Sequence, residues 1–359
     1  MPTKDRYTDC PKPMEWDVDQ AFETTFKWEY DDGRDKLLNL YSKGKKQQWD
    51  AVDRIDWSQE LHPDNPAGLP DQVLGIYGSD LWDGLDETGR SEVRKHFQAW
   101  QLSQFLHGEQ GALVCTAKIV QQVPHMDAKF YASTQVIDEA RHVEAYSKLL
   151  HDKLDVIYPI NPHLKSLLDD TLTDSRWDIT YLGMQVLIEG VALAAFGMIR
   201  DHAENELVSS VTAYVMQDEA RHVAFGRLAL RDFYPQLTEK ERDEREEFVV
   251  EGCYLLRDRF LGDEVWTTLG LPLDECKAAT DRSEYMKQYR SALFTRIVPT
   301  IKDIGLWGPR VQKAYADMGI LGFQDADLDG LMQKDEEIAL EFDARRRNIE
   351  DVAAIAKAG

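Results

Sequence analysis

The hexapeptide DEARHV occupies Asp138–Val143 and recurs letter for letter at Asp218–Val223, 80 positions later (218 − 138). Within each copy Glu and His stand three apart, Glu139 with His142 and Glu219 with His222, so on a helix each pair projects from one face. A carboxylate and an imidazole so placed chelate one metal ion. One such pair arises often by chance, but the repetition extends upstream. Glu109 lies 30 residues before Glu139 (139 − 109), and Glu189 lies 30 before Glu219 (219 − 189). Thirty residues let a chain run out along a helix at about 1.5 Å per residue, turn, and return to the same level. The spacing therefore predicts two antiparallel helix pairs that gather four glutamates and two histidines at one buried point.

Four carboxylates in an apolar core require counter-charge, and two divalent cations supply it. Oxygen-rich donors with one imidazole per ion suit iron or manganese, whereas structural zinc favours Cys and His. Each repeat also places an Asp four residues before its His. Asp138 is expected to accept a hydrogen bond from His142, and Asp218 from His222, fixing the tautomers. Arg141 and Arg221 are expected to neutralise the Asp on the facing helix.

Outward from the repeat, the sequence from Glu92 to about Phe233 shows four long stretches of helical periodicity, broken near Val123–Asp127, Asp169–Asp174 and Arg200–Glu206. The expected fold is all-α: a four-helix bundle over residues 92–234 with additional N-terminal and C-terminal helices. Residues 1–91 read as a Trp-rich extension of helix and loop, in which Trp28, Tyr30, Tyr41, Trp49 and Trp57 are packing residues. Residues 235–359 read as helices that cover the bundle or make a dimer, starting at a capping-box signal of Thr238 with Glu241.

A net charge of −23 argues against a nucleic-acid partner, because phosphate binding needs clustered Lys and Arg. The four cysteines, Cys10, Cys115, Cys253 and Cys276, are far apart, which suggests neither a zinc ribbon nor a disulfide framework and fits a reduced, cytoplasmic setting. The first residues lack the apolar run of a secretory signal. The most membrane-like stretch, Tyr181–Arg200, carries Glu189 at its middle and reads as a buried core helix, so no membrane partner is expected.

One Glu on each of two helices and ExxH on each of two others resembles the ferritin-like di-iron carboxylate superfamily. The DE-x-RH form is most similar to soluble bacterial multicomponent monooxygenases and acyl-carrier-protein desaturases, and it broadly resembles the p-aminobenzoate N-oxygenases. The resemblance implies two iron ions, with manganese or a mixed Mn/Fe pair as the alternative, held by Glu109, Glu139, His142, Glu189, Glu219 and His222. It implies O2 as co-substrate. Electrons would come from a separate reductase or ferredoxin, since the chain has no flavin or iron–sulfur motif. Two departures stand out. Several oxygenases and desaturases carry a Thr one turn after the third-helix Glu, where this chain has Leu193. The N-oxygenases carry a third His one turn before the final ExxH, where this chain has Val215, so a close match to that family is not expected.

Helical spacing puts Phe105, Leu113, Gln135, Gln185, Leu193 and Val215 one turn from a ligand Glu, as walls of a mostly apolar pocket. Gln185 and Tyr146, four residues after His142, are the candidate auxiliary catalytic groups. The expected function is a di-iron oxygenase that hydroxylates or N-oxygenates a small, largely apolar substrate, as a homodimer. The alternatives are a radical-storing subunit like that of ribonucleotide reductase, with Tyr146 as radical carrier, and a ferritin-like iron oxidation and storage protein.

Overall fold

The computed structural model describes residues 33–358 together with Thr24, with side chains described as far as Arg346. Trp28, Tyr30 and Cys10 lie outside the described residues. Every described element is a helix. The chain enters through α1 (Asp35–Lys46) and α2 (Ala51–Arg54), then a long loop holding α3 (Asp80–Asp83). The bundle follows: α4 (Glu87–Gln122), α5 (Met126–Leu149), α6 (Pro162–Thr173), α7 (Trp177–Tyr181), α8 (Glu189–His202) and α9 (Glu206–Phe233). Between α7 and α8 the residues Leu182–Ile188 form wider π-helical turns, so Trp177–His202 is one continuous rod. The last part comprises α10 (Glu239–Asp258), α11 (Asp263–Thr268), α12 (Leu273–Arg282), α13 (Glu284–Ala292), α14 (Ile297–Asp303), α15 (Pro309–Asp317) and α16 (Leu328–Ala358).

Local chemistry sets the helix starts. Asp86 caps α4 by accepting from the Gly89 amide, and Asn205 caps α9 by accepting from Val208. Thr238 and Glu241 cap each other's backbone at the start of α10, so the expected capping box forms. The expected breaks at Val123, Asp174 and Ala203 are present. The second periodic stretch differs from expectation. It breaks again around Asp155, whose φ of 54° is left-handed, and Pro162 then starts α6 as a separate helix.

Antiparallel α4 and α5 pair along their length, as do α8 and α9. Helix α1 lies across α5 and α9, and α16 covers α9. The rod Trp177–His202 is the one described helix long and apolar enough to cross a membrane, yet 78% of its most apolar window is buried inside the protein. It is a core element. Cys115, Cys253 and Cys276 are free and buried.

Candidate metal centre

Glu109 comes from α4, Glu139 and His142 from α5, Glu189 from the start of α8, and Glu219 and His222 from α9. The structure brings all six together in two overlapping groups. One holds Glu109, Glu139, His142 and Glu219; the other holds Glu139, Glu189, Glu219 and His222; within each, the ligand-type atoms lie within 4.8 Å of one another. Glu139 and Glu219 belong to both groups and so stand where bridging carboxylates would. The His142 Nδ1 is 3.0 Å from Glu219 and 3.2 Å from Glu109, and the His222 Nδ1 is 3.1 Å from Glu139.

Both oxygens of Glu219, Oε2 of Glu139 and of Glu189, and Nδ1 of His222 are buried without a hydrogen bond. Unbonded donor atoms at such separations converge on common points instead of on each other. Buried charge left this way is costly unless cations occupy those points. Two metal ions, each with one imidazole and three carboxylate donors, fit this set.

The electrostatics agree. Burial raises Glu109 and Glu189 well above the carboxylate range, and the neighbouring Glu219 adds to it. Glu139 is driven the other way: burial opposes, but His222 and His142 flank it and hold it below its usual range. Both imidazoles are raised against the effect of burial, His142 chiefly by Glu109 and His222 chiefly by Glu139.

Around this core the Asp–His pairing is crossed. Asp218 lies 3.2 Å from Nε2 of His142, and Asp138 lies 3.2 Å from Nε2 of His222. Each aspartate thus serves the imidazole of the other repeat, which corrects the expected pairing within a repeat. Residues i and i+4 on one helix do share a face, but here α5 and α9 face each other closely enough for the cross-bundle contact to take the imidazole N–H. Arg141 bridges both repeats, at 2.5 Å from Asp138 and 2.8 Å from Asp218. Arg221 binds Asp218 of its own helix and stays 3.7 Å from Asp138, so its expected facing-helix role is secondary.

A third contribution had no signal in the sequence. Gln48 donates to Asp138 (2.7 Å), Trp49 Nε1 donates to Asp218 (2.8 Å), and Gln47 accepts from Arg221 (2.9 Å). The segment after α1 therefore closes the ring of groups behind both imidazoles, and Trp49 is more than the packing residue expected of it. Tyr41 and Trp57 do pack, Tyr41 on Phe130 at 5.6 Å and Trp57 with its indole N–H on the Ala51 carbonyl.

The candidate pocket residues divide between the two ends of the bundle. Because α5 and α8 run opposite to α4 and α9, one turn before a ligand points to different ends on different helices. Phe105 packs on Tyr146 (5.7 Å) and Phe196 (4.5 Å), and by register Leu193 and Val215 share this end. Leu113, Gln135 and Gln185 face the end that carries the α4–α5 turn. Leu113 is only half-buried there, beside exposed Val114, while the other five are buried. Gln135 is also more than a wall: its amide N–H donates to Glu139 and to Glu189, each at 2.9 Å. Tyr146 is fully buried, and burial, then Glu109 and Glu219, raise its phenol well above the usual value.

No curated protein matches the chain at a significant level. Among solved structures, a variant of an R2-like ligand-binding oxidase with a reconstituted Mn/Fe cofactor is 18% identical, covering 79% of this chain and 96% of that one at a TM-score of 0.45. A Synechococcus protein with aldehyde deformylating oxidase activity is 16% identical, covering 62% and 96% at a TM-score of 0.43. The sequence model of the p-aminobenzoate N-oxygenase AurF family matches residues 31–305. That match bears out the resemblance to the N-oxygenases, and it is closer than Val215 in place of a third His led the sequence reading to expect. With its dinuclear carboxylate–histidine centre, the chain is a di-iron oxidoreductase and belongs to the p-aminobenzoate N-oxygenase AurF family.

Proposed function

We propose that this protein is an oxygenase in which Glu109, Glu139, His142, Glu189, Glu219 and His222 hold two iron ions, and that it hydroxylates or N-oxygenates a small organic substrate. The observation that carries the reading is the pair of overlapping buried groups sharing Glu139 and Glu219. When bound, the iron pair supplies dioxygen reduction and oxygen-atom transfer. The protein's own residues set the conditions for it. Glu139 and Glu219, common to both groups, would each help to hold both ions, and Asp218 and Asp138 keep each imidazole turned with Nδ1 inward. Arg141 and Arg221 balance those aspartates, so the burden of charge on the core stays with the ligands. Tyr146, walled by Phe105 and Phe196, keeps water from the side of Glu109 and offers an auxiliary hydroxyl.

Electrons come from a separate reductase. A surface cleft lined by Gln47, Gln48, Trp49 and Arg54 opens above the ring, and from it Trp49, Asp218 and His142 form an unbroken hydrogen-bonded run to the metal pocket. The exposed Val114 of α4 and Ile137 of α5 support a face for a second copy of the chain.

Elemental analysis of anaerobically iron-loaded protein, followed by rapid mixing with dioxygen under visible detection, tests the reading. Two irons per chain and a transient absorption are expected. In Glu139→Ala, which removes one shared carboxylate, iron content should fall to one or none while the helical circular dichroism persists. Full loading of that variant with two irons would remove the ligand assignment.

A further inference from the structure

The sequence repeat makes the centre two-fold in its ligands, and the residues one turn further out break that symmetry. The offset of 80 that carries Glu109, Glu139 and His142 onto Glu189, Glu219 and His222 also carries Phe105 onto Gln185, Gln135 onto Val215 and Tyr146 onto Gly226. All six of these neighbours are buried. One face of the centre therefore meets two amides, and the other meets Phe105, Val215 and Tyr146.

Of the two amides, Gln135 touches the ligands. Its side-chain nitrogen donates to Oε1 of Glu139 and to Oε1 of Glu189, each at 2.9 Å. Both contacts fall on the His222 side. Oε1 is the Glu139 oxygen nearer His222, 3.1 Å from its Nδ1, whereas Oε2, which accepts no hydrogen bond, lies 3.4 Å from Nδ1 of His142. Glu189 belongs to the His222 group alone. The His142 position has no such donor among the described residues: Glu109 accepts only from His142 itself, and neither oxygen of Glu219 accepts a hydrogen bond. Val215, the counterpart of Gln135, has nothing to donate.

An acceptor behind a ligating imidazole raises the basicity of that ligand, and a donor held against a ligating carboxylate acts in the opposite sense, drawing on charge the oxygens would offer to a cation. The groups behind the imidazoles do not cancel this difference. Each Nε2 has an aspartate at 3.2 Å, Arg141 binds both aspartates, and each aspartate takes one neutral N–H, from Trp49 or from Gln48. Arg221 leans to Asp218, but it acts through the aspartate and the imidazole, whereas the Gln135 amide touches the ligand carboxylates directly.

We propose that Gln135 makes the two metal positions unequal: the position of His142 and Glu109 fills first, and the position of His222 and Glu189, beside the amide, holds the weaker and exchangeable ion. The inference rests on the dinuclear reading of the six ligands and adds the order in which they fill. A chain carrying one ion is then a defined species, with Glu189 still tied to Gln135.

Cobalt(II) takes the same oxygen and nitrogen donors as iron(II) and serves as the probe. The step sizes of a titration would not decide the matter, because two neighbouring cations repel and separate the steps even in a symmetric centre. The position of the first ion does. Metal-free protein given a sub-stoichiometric amount of cobalt(II) is crystallised, and anomalous diffraction at the cobalt edge reads the occupancy of each position. Occupancy at the His142 position about tenfold above that at the His222 position is expected. In Gln135→Leu, which keeps the bulk and donates nothing, the ratio should fall below about threefold, with circular dichroism to check the helical fold. Should that variant not fold, the occupancies of the parent still decide. Equal occupancy in the parent, a first ion at His222, or the parent's ratio retained in a folded Gln135→Leu would each overturn the proposal. Equal occupancy at both positions leaves the dinuclear reading standing, whereas cobalt bound away from the six residues, or not at all, removes both.

Discussion

Asp218 shows how much a single side chain can concentrate. It accepts from His142, Trp49 and Arg141 and pairs with Arg221, and it is fully buried. Burial opposes its ionisation, yet Arg221, His142 and Arg141 together hold its carboxyl well below the usual range. Replacing it by Asn keeps the shape but removes the charge and leaves two buried guanidinium groups under-compensated. Loss of such a partner to a ligating His typically lowers metal affinity about 10- to 100-fold. Asp218→Asn is therefore expected to lose iron to a chelator at concentrations 10- to 100-fold lower than the parent does; parity in that competition would show that the aspartate does not govern the centre. The six ligand-type residues were legible in the sequence because two independent constraints, the three-residue step and the thirty-residue return, act on the same positions. The crossed Asp–His pairing was not, since i to i+4 spacing is satisfied equally by either partner and only the approach of α5 to α9 decides.

Among the elements, the π-helical turns before Glu189 are the feature that spacing alone conceals. A wider helix needs close neighbours, and glycines provide them: a Cβ at Gly226 would meet the Gln185 Cβ at 2.5 Å, and one at Gly183 would meet Thr171 Oγ1 at 2.2 Å. Gly226→Ala is expected to cost about 1–3 kcal/mol through overpacking, read as a lower midpoint in denaturant. Gln185→Gly made in the same chain removes the opposing Cβ itself, so the pair should be less destabilising than the sum of the singles. Strict additivity would mean that the two residues do not press on each other. The helix starts give a simpler check. Thr238→Ala removes the capping box of α10, and a loss of about 1 kcal/mol is expected. This cap was legible because its two residues are neighbours in sequence. The Gln47–Trp49 contribution was not, because nothing local in that segment reports that α1 docks across α5 and α9.

For the molecule as a whole, the centre is a store of protons until metal arrives. Glu109 and Glu189 are raised by burial beside Glu219, and His142 and His222 are raised by the carboxylates around them. Groups whose folded values exceed their unfolded ones bind more protons in the folded state, so their contribution to metal-free stability is complete below the ordinary values, about 4.3 for Glu and 6.5 for His, and is lost as pH rises through the raised ones. Glu139 and Asp218 are lowered and act in the opposite sense, but their window lies below about pH 4 and does not touch the neutral range. Metal reverses the account, because the ligands must shed these protons to coordinate it, so affinity rises with pH. The difference in melting temperature between iron-loaded and metal-free protein should therefore widen steadily from about pH 5 to about pH 8, mostly because the metal-free form weakens. Titration in buffers of different ionisation enthalpy should show protons released on metal uptake at neutral pH. A gap independent of pH, with no proton release, would mean that the buried carboxylates and imidazoles are already deprotonated as the metal requires, and the charge balance argued for this core would be wrong.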